Sequence, residues 1–379
     1  MQPSMRRLVC LLFVGPVCAL LITAGCTRNT KPPAPPPTDV APPVAQLPAN
    51  DFVGSEACNP CHAEEWRKHR ESRHAHTFRP MMVSALGKSA PPEGLLQGTN
   101  SALGVVGDHY VLVRPQTGQQ RPLDYALGSG KQGMTYIAIV QDTAVFEMRV
   151  SFTPRTRQWY PTPGQEQYEN FPNVVGKTHL KTEARQCLLC HTVTVADNDL
   201  HPEPRFMGVG CESCHGAGSA HIAAAKAGRM NDLKMEHLAT AGGKRLNALC
   251  GVCHQTPENV AQMPQNQRLT QRFMPYGLAQ SRCFQQSGDR LTCVTCHDPH
   301  TDAGTDRRVY EKTCLQCHSG SHAPAVTDKG VASTASVPGK VCPINPREGC
   351  VGCHMPKRKV FAGNAIPIAM ADHWIKVNK

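Results

Sequence analysis

The chain has 379 residues, 19 of them cysteine, with 40% hydrophobic and 5% aromatic residues and a formal charge of +11. That length suits one large domain or two smaller ones, but the apolar content is too thin for an ordinary core to hold it alone. The 31 glycines and 32 prolines exclude a chain built mainly of long regular elements.

The first residues read as a targeting segment. Arg6 and Arg7 precede the apolar run LVCLLFVGPVCALLITAG (8–25), which has the build of a signal peptide covering residues 1–25. The run ends at Cys26, and LITAGC resembles the lipobox of bacterial lipoproteins, so Cys26 is the expected lipidation site. Residues 26–50 are Pro-rich and predict an extended tether between that lipid and the body. The body is then a membrane-anchored lipoprotein in the periplasm or at the cell surface.

From residue 51 the cysteines fall into one repeated pattern, Cys-x-x-Cys-His. It occurs at Cys58/Cys61/His62, Cys187/Cys190/His191, Cys211/Cys214/His215 and Cys250/Cys253/His254. It recurs at Cys293/Cys296/His297, Cys314/Cys317/His318 and Cys350/Cys353/His354. A zinc ribbon pairs cysteines this way but has no need of a histidine directly after the second one. A redox dithiol would be one motif, not seven. Covalent haem needs the whole pattern: two thiols bond one porphyrin and the adjacent imidazole reaches its iron. The cofactors are therefore seven c-type haems, with those seven histidines as proximal ligands.

Residues 51–94 form the first haem segment. After its motif, AEEWRKHRESRHA predicts a short polar helix, and His74 or His76 stands well placed to be a distal ligand, His74 being favoured. Residues 95–172 carry no haem motif and alternate in character. HYVLVR (109–114), TYIAIV (135–140) and AVFEMRVSF predict strands, with a hairpin at Gln141-Asp142-Thr143. In the last run Phe146, Met148, Val150 and Phe152 share one face, and Glu147, Arg149 and Ser151 the other. This is expected to be a small antiparallel β insertion, with His109 an ordinary surface residue. Residues 173–379 form a six-haem segment of helices and loops. The fold class expected is mainly α with much loop, organised around covalent haems.

VGSEACNPCH with the following SRHA, the track from Gly128 to Gly164, GVGCESCHGAGSAH, LTCVTCHDPH, GCVGCHMPK and ADHWI carry a resemblance. They resemble multihaem cytochromes c of the superfamily that includes the nitrifier tetrahaem cytochrome, hydroxylamine oxidoreductase and pentahaem nitrite reductase. The resemblance implies distal ligation by His74, His221, His300 and His373. Counting ligands extends it: eighteen histidines less seven proximal ones leave enough for seven distal positions. The full candidate set is His74, His179, His221, His237, His300, His322 and His373, with Met81 and Met82 as outside alternatives.

Full bis-histidine ligation points to an electron carrier, relaying between a membrane-side donor and a periplasmic or surface acceptor through redox protein partners. The alternative is a multihaem oxidoreductase acting on a small nitrogen or sulfur compound at one open iron. The chain lacks the Cys-x-x-Cys-Lys of many pentahaem nitrite reductases, and hydroxylamine oxidoreductases carry eight haems. Both departures favour the carrier. Loss of Arg6 and Arg7, and about −1 from each of seven ferric haems, reduce the charge to about +2, which gives no support for nucleic-acid binding. Cys283 and Cys342 lie outside the motifs, and in an oxidising compartment they are the candidates for a disulfide, against two separate thiols.

Overall fold

The computed structural model describes residues 51–168, 170–196, 198–263, 272–288, 290–319, 340–360 and 368–377. The signal segment, Cys26, the tether and His322 lie outside these. Thirteen strands occur among the described residues: β1 (Phe78–Pro80), β2 (Gly94–Leu95), β3 (Ala102–Val106), β4 (His109–Arg114), β5 (Gln119–Pro122), β6 (Tyr125–Leu127), β7 (Thr135–Val140), β8 (Ala144–Met148), β9 (Val150–Thr153), β10 (Gln158–Pro161), β11 (Gly176–Leu180), β12 (Lys357–Lys359) and β13 (Ala369–Ala371). They form a five-stranded sheet in the order β1-β6-β7-β8-β11, a four-stranded sheet β2-β3-β4-β5, and the hairpins β9-β10 and β12-β13. Every pairing is antiparallel.

These strands overturn the expectation of a mainly α chain with one small insertion. The largest sheet takes β1 from beside the first haem motif and β11 from just before the second. Neither FRP nor GKTHL has an alternation long enough to announce a strand, so pairing with β6 and β8 decides their conformation. Three of the helices that carry haem motifs are very short, Glu212–His215, Cys293–Cys296 and Cys350–His354 with four, four and five residues, whereas Gly243–His254 and Arg307–His318 have twelve each.

The alternating run AVFEMRVSF is two strands, broken at Arg149. There the backbone N–H bonds Val175 instead of a sheet neighbour, and the chain passes from β8 to β9. The side expected to be polar and wet is covered. Arg149 is 4% exposed, and its guanidinium donates to the carbonyls of Gly98, Tyr168 and Phe171. Ser151, fully buried, is held between the Thr135 and Thr162 hydroxyls at 2.7 and 2.8 Å. Burial of these groups is tolerated because each has a partner. Between β7 and β8, Gln141 and Asp142 adopt positive φ (49° and 56°), the primed-turn geometry that matches the twist of a hairpin.

Two cores flank the five-stranded sheet. One gathers Met81, Leu103, Met134, Tyr136, Met148 and Phe152. Met81 is wholly within it and is therefore a core residue rather than an iron ligand. The other packs Phe78, Tyr125, Ile137 and Val145 against Ala184 and Leu188. Those two alanine and leucine side chains belong to helix Lys181–Leu189, which bears Cys187. The sheet is thus the platform on which the second haem motif sits. Among the described residues, no helix is long and apolar enough to cross a membrane.

Candidate haem-iron sites

Each motif is one helical turn. The N–H of His62 bonds Cys58 O at 2.9 Å, that of His215 bonds Cys211 O at 3.0 Å, and that of His297 bonds Cys293 O at 3.0 Å. The turn projects two thiols and an imidazole from one side, as a porphyrin held at both vinyls and at iron requires.

Four imidazole pairs link the motifs to distant parts of the chain. His62 faces His221 with 6.2 Å between ring centres, and His254 faces His74 at 6.2 Å. His215 faces His300 at 6.3 Å with planes 4° apart, and His297 faces His373 at 6.3 Å. A metal between two imidazoles, with metal–nitrogen bonds of about 2 Å and about 1.2 Å from each nitrogen to its ring centre, needs roughly 6.4 Å. The residues therefore fit the group.

The free nitrogens agree. A carbonyl only accepts, so an Nδ1 within hydrogen-bonding distance of one must donate, which leaves Nε2 unprotonated for a metal. That arrangement holds His221 on Leu233 O (2.9 Å) and His373 on Ala371 O (3.0 Å). It also holds His191 on Thr77 O (3.2 Å), His318 on Lys340 O (2.8 Å) and His354 on Lys376 O (3.0 Å). Burial, reinforced by the neighbouring His74, His373 and His191, pushes His254 down to about 4. Burial likewise lowers His74, His191, His215, His297 and His373. Neutral imidazole is the ligating form.

The thiols connect one motif to another. Cys58 hydrogen-bonds Cys211, Cys190 bonds Cys253, and Cys250 bonds Cys293. Cys214 neighbours Cys250, Cys314 neighbours Cys296, and Cys350 bonds Cys314.

The other expected ligands lie elsewhere. His179 sits on β11 between two carboxylates, Nε2 3.2 Å from Glu147 and Nδ1 2.8 Å from Glu183. Nε2 is hydrogen-bonded to Glu147 and Nδ1 lies beside Glu183, so His179 forms an ion pair and faces no second imidazole among the described residues. His237 is exposed and its Nδ1 contacts the Thr240 hydroxyl at 3.3 Å. Among the described residues, no imidazole faces His191, His318 or His354 as in the four pairs. His109 is exposed. Cys283 lies beside Cys317, and Cys342 accepts from Asn345 N–H at 3.5 Å.

Three positioning residues have no sequence signature. Glu212, between the cysteines of CESCH, is 1% exposed. Its carboxylate accepts the N–H groups of Gly54 at 2.8 Å, Val53 at 3.0 Å and Gly218 at 2.7 Å. Ser281, fully buried, donates to His373 O (3.1 Å) and accepts from Ile375 N–H (2.8 Å), which pins the strand of chain bearing His373. His69, 8% exposed, lies among His74, His300 and His215.

Residues 154–216 match the family described as cytochrome c554 and c-prime. The crystal structure of outer cell wall cytochrome OcwA is similar at a TM-score of 0.47 and 16% identity, over 86% of this chain and 80% of that one. No curated protein matches. The family match and the motifs together support a multihaem c-type cytochrome, with covalent haem and electron transfer as its class.

Proposed function

We propose that the chain is a heptahaem c-type cytochrome that relays electrons outside the cytoplasm, between a membrane-side donor and a periplasmic or surface acceptor. The observation that carries this is the set of four imidazole pairs at the spacing of two axial ligands. A c-type haem at each motif supplies a one-electron iron couple. At the four paired sites the two imidazoles would both hold the iron and would keep holding it through the change of charge, so that little would rearrange.

The thiol contacts give the relay an order. Named by proximal histidine, it runs His62, His215, His254, His297, His318, His354, and the His191 site branches off at His254. Cys61 and His62 are exposed at one end and Cys353 at the other, the places for donor and acceptor to dock. Cys26, acylated, and the Pro-rich segment would tie the body to a membrane surface. Intact mass of the matured protein should show seven covalent haems, and a stable species with four or fewer overturns the reading.

One observation favours a second reading. His191 is oriented by Thr77, yet no imidazole faces it among the described residues. An open iron there, at a branch off the relay, would suit an oxidoreductase acting on a small nitrogen or sulfur compound. A high-spin ferric electron paramagnetic resonance signal that is lost when azide is added supports this reading, and a wholly low-spin spectrum removes it.

A further inference from the structure

A cleft of about 420 Å³ opens beside the turn Gly128-Ser129-Gly130-Lys131. Lys88, Lys131 and Arg155 line it, with the Ser89 and Ser129 hydroxyls, and its lining includes no carboxylate. Leu86 and Pro154 supply an apolar wall. A fourth cation lies beneath the floor. Gly130 has φ +79° and lacks the Cβ that would come within 2.5 Å of Arg79 Nη2 and 2.9 Å of Ser89. The glycine therefore lets the guanidinium pack directly under the turn, where Nη2 donates to Ser89 Oγ at 3.0 Å. Arg79 Nε is buried without a hydrogen-bond partner, an expensive state for a charged group. Three exposed cations line the recess above the Arg79 guanidinium, and Asp302, outside the lining, holds Lys131 at 3.3 Å.

We propose that this cleft binds a polyvalent oxyanion group of the phosphate or sulfate type, free or carried on a small organic molecule. Three lining cations and the Ser129 hydroxyl, with no carboxylate in the lining and the Ser89 hydroxyl committed to Leu86 O, are the chemistry that recognises such a group. The apolar wall and the volume leave room for more than a bare ion. The site is also placed to affect the irons, a point that rests on the relay reading. Asp302 accepts from Arg73 N–H at 2.7 Å and lies 3.2 Å from Arg73 Nε, so it ties Lys131 to the residue before His74, and it stands two residues after His300. An anion on Lys131 competes with Asp302 and adds negative charge beside two ligand-bearing loops. It should lower the potentials of the haems those ligands serve.

Titration calorimetry of the holoprotein at low ionic strength, with inorganic phosphate and with phenyl phosphate, tests the site. Saturable 1:1 binding is expected, weakened about tenfold or more in K88E/R155E, a pair of exposed residues whose exchange leaves the packing alone. Phenyl phosphate binding at least about threefold tighter assigns an organic carrier, and equal affinity assigns the free ion. No saturable heat, or equal affinity in wild type and variant, overturns the proposal, as it would if a propionate of the chain's own haems fills the cleft. Spectroelectrochemistry reads the coupling separately. Binding without any shift in potential keeps the anion site and removes its link to the relay.

Discussion

His215 and His300 lie with their rings 4° from parallel and 6.3 Å apart, although one belongs to the third haem motif and the other follows the fifth. Nothing in local structure holds them so. His300 leaves its helix at a turn where its N–H bonds Asp298 Oδ1 at 2.9 Å, and Asp302 fixes the same loop to Arg73. If an iron lies between the rings, His300→Ala should convert one haem from low-spin to high-spin ferric and leave the rest unchanged. The control is His179→Ala, which on the ion-pair assignment leaves the haem spectrum as it was. Electron paramagnetic resonance of both variants checks the pair and the exclusion together.

The segment bearing His373 rests on Gly277. A Cβ added there would meet the His373 carbonyl carbon and Trp374 N at 3.1 Å, so that backbone would have to give by a few tenths of an ångström. Gly277→Val should therefore dislodge the segment and produce a high-spin fraction at the His297 site, with Gly277→Ala giving less. A normal low-spin spectrum in the valine variant would mean that His373 is not what closes that site.

Glu212→Ala removes one carboxylate and strands three backbone donors, those of Val53, Gly54 and Gly218. An unsatisfied buried donor costs about 1–3 kcal/mol, so the loss should exceed that of an ordinary surface change several-fold. Glu212→Gln, which keeps one acceptor, should fall between. Denaturant midpoints at fixed haem content measure it, and a shift in Glu212→Ala no larger than in Glu203→Ala would sink the role.

The His179 pair predicts a pH dependence. Its hydrogen bond to Glu147 holds the imidazole above its ordinary 6.5, against the opposing effect of burial, with Glu183 adding to the rise. A raised folded-state value means the contribution is complete below 6.5 and fades as pH climbs through the folded value. Wild type should lose stability over that climb by an amount on the order of 1 kcal/mol or less, since Glu183 is largely exposed. Glu147→Gln should flatten the loss. Midpoints that fall equally in both proteins would assign the slope to other groups.

What could be read from the residues differs sharply by kind of signal. The Cys-x-x-Cys-His pattern is the most legible signal for a c-type cytochrome, because it is local in the chain and needs no tertiary context. The hairpin at Gln141-Asp142 and the strands at 109–114 and 135–140 were equally local. That His74, His221, His300 and His373 each face a motif histidine is not legible in local sequence and was suggested there only by resemblance, since such a pairing is defined across space. The same ligand counting misplaced His179, whose neighbours Glu147 and Glu183 come from another strand and the next helix. Strands β1 and β11 escaped notice because their conformation comes from the sheet they join. Glu212 and Ser281 act on backbone groups far away in sequence, and no motif records that.

The imidazole pairs also set a timetable. On the relay reading, His62 would hold its haem once the first motif matures, while its partner His221 lies far downstream and emerges later. The first iron must wait half-ligated, exposed to stray ligands, until that residue arrives. Each pair, once closed, ties the chain into a loop of many tens of residues, and a cross-link closing about a hundred residues is worth about 5 kcal/mol of unfolded-state entropy. Emergence of the chain from its N-terminus onward would then tighten the protein step by step, and a chain halted before His221 would leave its first haem the least protected of all.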